Sequence, residues 1–138
     1  MATQVSDLLG GERVLGASLN SNIDLARATR EGLPARTAVE LAEIIGAGSP
    51  DQLSSALAHA LEHGAGRLTP LESDAVVRIA QALAKAIDVL GGRHKAAHWL
   101  MSPNRALGGE TPLNLLDTSA GAYEVDTVLD RIEYGVYS

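Results

Sequence analysis

Two pairs of histidines are the residues whose spacing most directly suggests chemistry. His59 and His63 flank Glu62 in the pattern H-x-x-E-H, and His94 and His98 repeat the four-residue interval. Histidines at this interval share one face of a helix, where they can bind one zinc ion with the glutamate as general base. No third ligand stands out in the sequence, and the chain is short for such an enzyme. We therefore interpret both pairs as surface or half-buried histidines on amphipathic helices.

Other reactive arrangements are absent from the sequence. It contains no Cys and no G-x-S-x-G pattern, which excludes disulfides and the common serine-nucleophile motif. The glycine clusters at 46–48 and 64–66 do not follow a strand pattern, as a nucleotide-binding loop would. Asp126 and Asp130 lie on the solvated side of a predicted helix, with no sign of a closed pocket around them. No catalytic residue, metal ligand or cofactor is predicted, and we expect a protein without enzymatic activity.

The elements that must position these residues are helices. Apolar residues recur at helical intervals, and only 3% of the residues are aromatic. We therefore predict an all-α fold with a core of Leu, Ile, Val and Ala. The clearest helix begins after Thr69, which forms a capping box with Glu72 and precedes Pro70. It ends at Gly91, and its predicted apolar stripe consists of Leu71, Val76, Ile79, Leu83, Ile87 and Leu90.

Residues 33–68 show the outline of a helix-turn-helix. A capping box of Thr37 and Glu40 predicts the first helix, which ends at the glycines of 46–48. The second helix is predicted to open at Ser49–Pro50 and to carry a stripe of leucines. Because three short helices cannot bury this much apolar surface, we predict a homodimer to which the stripe contributes. The stripe consists of Leu53, Leu57 and Leu61.

The charge of this module argues against a DNA-reading surface. Residues 37–66 contain no Lys or Arg, whereas phosphate contacts supply much of the affinity for DNA and require cations. A DNA-binding transcriptional regulator stays open as the alternative function, because cations elsewhere could flank a duplex. The candidate recognition helix offers Gln52, Ser54, Ser55, His59 and His63, and the flanking cations are Arg27, Arg30, Arg36 and Arg67.

The last quarter of the chain contains the strongest turn and cap signals. Pro103–Asn104 predicts a turn that pushes Met101–Ser102 out of the preceding helix. Thr111–Pro112 reads as a cap followed by proline at the first helical position. Thr118 is a second cap candidate, for a helix that ends before Gly135. The apolar stripe of that helix consists of Ala122, Val125, Leu129 and Ile132.

This quarter resembles the toxin-binding domain of the Xre/MbcA/ParS-type antitoxins. The shared residues form one long ordered pattern, which is more specific than a single short motif, and the resemblance extends weakly back to about Leu33. The pattern consists of Trp99, Leu100, Pro103, Asn104, Ala106, Leu107, Gly108, Gly109, Thr111, Pro112, Leu113, Leu115, Leu116, Thr118, Gly121, Ala122, Val125, Leu129, Arg131, Ile132, Tyr134 and Gly135.

The resemblance implies an antitoxin that neutralises a RES-domain toxin, a protein that acts on NAD. It also implies that the last helix and the residues after it cover the entrance to the active site of the toxin. The implied toxin-binding residues are Arg131, Glu133, Tyr134, Gly135, Val136, Tyr137 and Ser138. The implied scaffold that aims them consists of Trp99, Pro103, Asn104, Leu107, Gly108, Gly109, Thr111 and Pro112.

The predicted organisation is a helix-turn-helix-like N-terminal module packed with a small helical C-terminal toxin-binding domain. We expect a poorly ordered arm and a short helix over 1–32, the module over 33–68, a connecting helix over 69–92 and the toxin-binding domain over 93–138. The net charge of −6 suits a basic protein partner within a hetero-oligomeric complex. Neither a signal-peptide pattern nor a membrane-spanning run occurs, so we expect a cytoplasmic protein.

Overall fold

A computed structural model describes residues 2–46, 54–62 and 66–135. Over these ranges the chain is helical and forms no β-strand, apart from one isolated bridge between Pro34 and Arg67. The predicted all-α class is therefore confirmed. The helices are α1 (Ala2–Leu8), α2 (Gly11–Leu15), α3 (Asn22–Glu31), α4 (Arg36–Ile45), α5 (Ser55–Leu61), α6 (Pro70–Leu90), α7 (Arg93–Met101), α8 (Pro112–Leu115) and α9 (Ser119–Glu133), with a 3-10 helix at Arg105–Leu107.

The long helix α6 is the central element of the fold. Its predicted capping box is present: the Thr69 hydroxyl accepts from the Glu72 amide, and the Glu72 carboxylate accepts from the Thr69 amide. Helices α1, α3, α4, α5, α7 and α9 all pack against α6. Leu71 is 82% exposed, so its predicted place in the buried stripe is wrong. The five-residue step to Val76 turns the helix by about 140° and carries Leu71 away from the core.

The predicted disorder of the N-terminal arm is also wrong. Residues 2–15 form the helices α1 and α2, and Val5, Leu8 and Leu9 are buried in the main core. Their spacing of three and four residues gives α1 one apolar face, which packs on α6. Ser6 connects α1 to the segment before α3, because its hydroxyl donates to the Leu19 carbonyl at 2.9 Å.

The two ends of the 33–68 segment lie side by side. Ala35 donates to Gly66, and Leu68 donates to Leu33, each over 2.8 Å between backbone nitrogen and oxygen. Gly32 permits this approach, because a Cβ at its position would lie 2.4 Å from the Leu68 carbonyl oxygen. The Leu33 amide also donates to the Ser73 hydroxyl at 2.8 Å, which attaches this pair of ends to α6.

The predicted capping box at Thr37 is wrong. Helix α4 already begins at Arg36, and Thr37 is a buried residue whose hydroxyl donates to the Pro34 carbonyl at 2.8 Å. The pairing of Pro34 with Arg67 fixes the backbone just before α4 and shifts the helix start by two residues. Gly46 ends the helix in a left-handed conformation, as predicted.

Helix α5 also differs from its prediction. Ser54 is extended and caps the helix by accepting from the Leu57 amide, so no single helix runs from Ser49–Pro50 to Leu61. Leu57 is fully buried in the core of this protomer, and the proposal that it contributes to a dimer interface is wrong. Helix α5 packs against α4 and α6 of the same chain, and the homodimer itself stays a prediction. Ser49, Pro50, Gln52, Leu53 and His63 lie outside the described residues.

The N-terminal and C-terminal helices share one hydrophobic core. Leu41 of α4, Leu83 of α6, Leu100 of α7 and Leu129 of α9 belong to the same buried cluster. The helix-turn-helix assignment stays a prediction, since the segment between α4 and α5 is outside the described residues. Of the helices described, none combines the length and apolar character needed to cross a bilayer.

Candidate functional site

In the candidate site, helix α9 packs closely against the short helix α8. Thr111 caps α8 and Thr118 caps α9, each accepting from the amide three residues ahead, as predicted. Gly121 then lies against Leu115, where a Cβ would come within 1.7 Å of the carbonyl oxygen. Only glycine allows α9 to leave α8 at this angle. Val125 and Leu129 of the predicted stripe are fully buried, and α9 is thereby fixed on α6.

Arg78 of α6 fastens the connection between α8 and α9. Its Nε donates to the Leu116 carbonyl at 2.8 Å, and its Nη2 donates to the Asp117 carbonyl at 2.9 Å. Asp74, one turn earlier on α6, accepts from Nη1. The Asp117 carboxylate accepts from the Ala56 amide at 3.3 Å, which connects the same turn to α5. A rigid guanidinium can satisfy two neighbouring carbonyls in this way, whereas a single ammonium cannot do so as well.

Lys85 makes the second connection from α6 to α9. Its Nζ donates to Asp126 at 2.7 Å and also to Asp130, one turn further along α9. Burial alone would lower the pKa of Lys85, but the hydrogen bonds and charges of the two aspartates outweigh it and raise the pKa. The sequence prediction placed both aspartates on a solvated face and missed this link. A single lysine on α6 opposite two carboxylates spaced by four residues is the signal that could have revealed it.

The loop before α8 is organised by the buried Asn104. Its side-chain oxygen accepts from the Ala106 amide at 2.9 Å, and its carbonyl accepts from the Leu107 and Gly109 amides at 3.0 and 2.9 Å. The Asn104 amide donates to the Glu110 carbonyl at 3.0 Å. The 3-10 helix inside this loop packs against α9. Asn104 therefore fixes the conformation of the turn that packs against α9.

The other predicted scaffold residues surround this turn. Gly108 and Gly109 have positive φ angles of 70° and 84°, as the predicted turn requires. Leu107 and Pro112 are buried, Trp99 is half-buried against the core, and Pro103 is exposed. Helix α7 continues through Met101, one residue further than predicted, and Ser102 is the first extended residue.

The predicted toxin-binding residues that the structure describes are all exposed. Arg131, Glu133, Tyr134 and Gly135 lie at the end of α9. Tyr134 is 72% exposed, although a tyrosine here could equally have packed on the core. Gly135 follows with a φ of 71° and turns the chain out of the helix. Val136, Tyr137 and Ser138 lie outside the described residues.

His59, His94 and His98 are exposed and belong to no metal cluster within the described ranges, and His63 lies outside those ranges. His59 lies 3.7 Å from the carboxylate of Glu72, between Nε2 and Oε2. His94 and His98 are exposed on α7. In the parts of the chain that the structure describes, no three His, Cys, Asp or Glu side chains converge. Helix α5, with the sequence SALAHAL, carries neither Lys nor Arg for DNA contacts.

These features define a helical protein in which a buried scaffold presents the exposed end of one helix. The family description "Antitoxin Xre/MbcA/ParS C-terminal toxin-binding domain" matches residues 85–135. That range begins at Lys85 and includes the turn at Asn104 and all of α9. The resemblance of this part of the chain to the toxin-binding domain of the Xre/MbcA/ParS-type antitoxins is thereby confirmed.

Individual relatives carry the same family name. A protein named Antitoxin Xre from Yersinia enterocolitica is 40% identical over 74 residues, which are 53% of this chain and 50% of the relative. One from Photorhabdus laumondii is 40% identical over 76 residues, 54% of this chain and 51% of the relative. One from Pseudomonas putida is 38% identical over 68 residues, 49% of this chain and 43% of the relative. The chain thus spans about half the length of the curated relatives that it matches.

Proposed function

We propose that this protein is the antitoxin of a type II toxin-antitoxin system and binds its toxin directly. The observation that carries the proposal is the exposure of the end of α9 within the region that matches a toxin-binding domain. The role is binding rather than catalysis. The scaffold around Asn104, Arg78 and Gly121 holds α9 rigidly, which reduces the entropy lost on association.

The proposed toxin is a RES-domain protein that degrades NAD or transfers its ADP-ribose. The end of α9 and the residues after it would cover the entrance to the toxin's active site and keep the dinucleotide out. Tyr134 offers a large apolar surface with a polar tip, which suits an interface. Glu133 and the acidic residues of α9 would complement a cationic rim that binds phosphate.

Coexpression with the protein encoded by the neighbouring gene tests this function. The two chains should copurify, and NAD turnover by the neighbour should fall when this chain is present. Replacing residues 134–138 by a Gly-Ser segment of equal length should leave the fold intact and weaken or abolish inhibition. The length-matched replacement keeps chain length constant, so that only the side chains are tested.

Two results would contradict the proposal. Full inhibition by the replaced chain would overturn the covering role of these residues. Absence of association would favour the DNA-binding regulator, which predicts salt-dependent binding of promoter DNA by this chain alone. The proposal also includes a homodimer within the complex and a helix-turn-helix-like module over 33–68. The mass of the purified complex tests the homodimer.

A further inference from the structure

The outer face of α9 carries two tyrosines along one line. Tyr123 and Tyr134 are eleven residues apart, and each is 72% exposed. At 3.6 residues per turn, eleven residues bring the second side chain to within about 20° of the first, roughly 16 Å further along the helix. Asp126 and Asp130 lie between them, within about 80° of the same line. We call these four residues the tyrosine stripe.

The stripe is acidic, and its carboxylates keep acceptor capacity. Lys85 contacts Oδ1 of both aspartates, while the side chains of Asp126 and Asp130 remain 57% and 47% exposed. An ionised carboxylate accepts at up to about four positions on its two oxygens. Each aspartate can therefore bind a further cation without leaving Lys85.

A groove of about 420 Å³ opens beside Tyr123, between α6 and α9. Its lining includes the apolar side chains Ala82 and Ala122 and the polar side chains of Gln81 and Asn22. The cations Lys85 and Arg78 also line it, but each is paired with carboxylates, Lys85 with Asp126 and Asp130 and Arg78 with Asp74. An exposed aromatic side chain beside a concave apolar surface with polar groups is the usual arrangement of an interface hot spot. The groove includes Asn22, so this surface extends outside the residues that match the family domain.

Arginine is the side chain that these features fit best. Its planar guanidinium can stack on a tyrosine ring and donate to a carboxylate at the same time, and its aliphatic stem suits an apolar groove. Lysine would satisfy the charge but neither the stacking nor the paired hydrogen bonds.

We infer that Tyr123, Asp126 and Asp130 of the tyrosine stripe, together with the groove beside Tyr123, dock an arginine-bearing segment of the toxin. This inference rests on the proposed function. The two ends of α9 then have different roles. The half around Tyr123 supplies affinity, and the residues from Tyr134 onward block the active site.

The test compares affinity with inhibition for the full chain and its purified RES-domain toxin. Tyr123→Ala should weaken association at least about tenfold, the loss expected for a hot spot, and saturating amounts should still inhibit NAD turnover completely. The Gly-Ser replacement of residues 134–138 should instead lower the maximum inhibition. Tyr123→Phe keeps the ring and should bind like the parent. Ala120→Ser, an exposed change on the same helix, is the matched control.

Charge gives a second readout. Binding of the parent should weaken with salt, and the double variant Asp126→Asn, Asp130→Asn should show a smaller salt dependence. Affinity of Tyr123→Ala within twofold of the parent would overturn the inference while leaving the antitoxin function intact. Failure of the parent itself to bind would overturn both, so the two failures are distinguishable.

Discussion

The backbone of Gly121 touches that of Leu115 so closely that a Cβ at Gly121 would lie 1.7 Å from the Leu115 carbonyl oxygen. The contact joins the first turn of α9 to the last turn of α8. The Leu115 carbonyl cannot move without the rest of the short capped helix α8. The direction of α9 therefore depends on the absence of a side chain at Gly121.

Substitution of that glycine should therefore displace α9. We expect Gly121→Ala to lower the free energy of unfolding by about 3 kcal/mol, since backbone must shift to admit the methyl group. Urea unfolding measures the change. Gly92→Ala is the matched control, because its Cβ would meet nothing within 4 Å and its φ of 164° is ordinary extended backbone. Equal stability of the two variants would contradict the role of the Gly121 contact.

Removal of the Arg78 guanidinium should loosen the turn between α8 and α9. Arg78→Met keeps the aliphatic stem but leaves the Leu116 and Asp117 carbonyls without their donor, at an expected cost of about 2 kcal/mol. Arg78→Lys should recover only part of this, because one ammonium cannot reproduce both bonds. Hydrogen exchange of α9 and thermal unfolding measure the effect. Arg93→Met, at an exposed position of α7, should change little, and a similar loss there would count against the Arg78 assignment.

The link from Lys85 to α9 should depend on pH. Its pKa is raised in the folded chain, so the stabilisation is fully present below the ordinary lysine pKa of about 10.4 and is lost as pH rises through the folded value. At neutral pH Lys85→Met should cost less than about 1 kcal/mol, since both aspartates are half exposed. Urea unfolding between neutral and alkaline pH should show the difference between variant and parent shrinking.

The exposed Lys95 on α7 provides the control for that experiment. Lys95→Met makes the same chemical change as Lys85→Met, but at a position outside the contact with α9. A Lys85 difference that stays constant through alkaline pH, or one that Lys95→Met reproduces, would show that the contact with Asp126 and Asp130 is not its source.

Local signals in the sequence predicted local structure well. The caps at Thr69, Thr111 and Thr118 were predicted correctly, because a capping hydroxyl and the amide it serves are three residues apart. Thr37 has the same signal, but the bridge between Pro34 and Arg67 starts its helix earlier. The start of α4 thus depends on Arg67, which is more than thirty residues away from Pro34 in the sequence. A local sequence pattern cannot show such a contact.

The same division applies to the candidate site. The exposure of the residues at the end of α9 could be predicted from its apolar stripe, because the stripe identifies the buried face and therefore the opposite, exposed face. The contacts that hold α9 in place do not follow from it, because Arg78 and Lys85 reach across about forty residues of sequence. The identity of a binding partner depended on resemblance alone, since Tyr134 and its neighbours would suit many interfaces.

The match to the family domain covers less of the chain than the hydrophobic core does. The match starts at Lys85, in the last third of α6, while Val76, Ile79 and Leu83 in the preceding turns are fully buried in the common core. The residues that match the family domain therefore contain only part of the core that holds α9 in place. A fragment cut at Lys85 would divide α6 and lose part of the shared core.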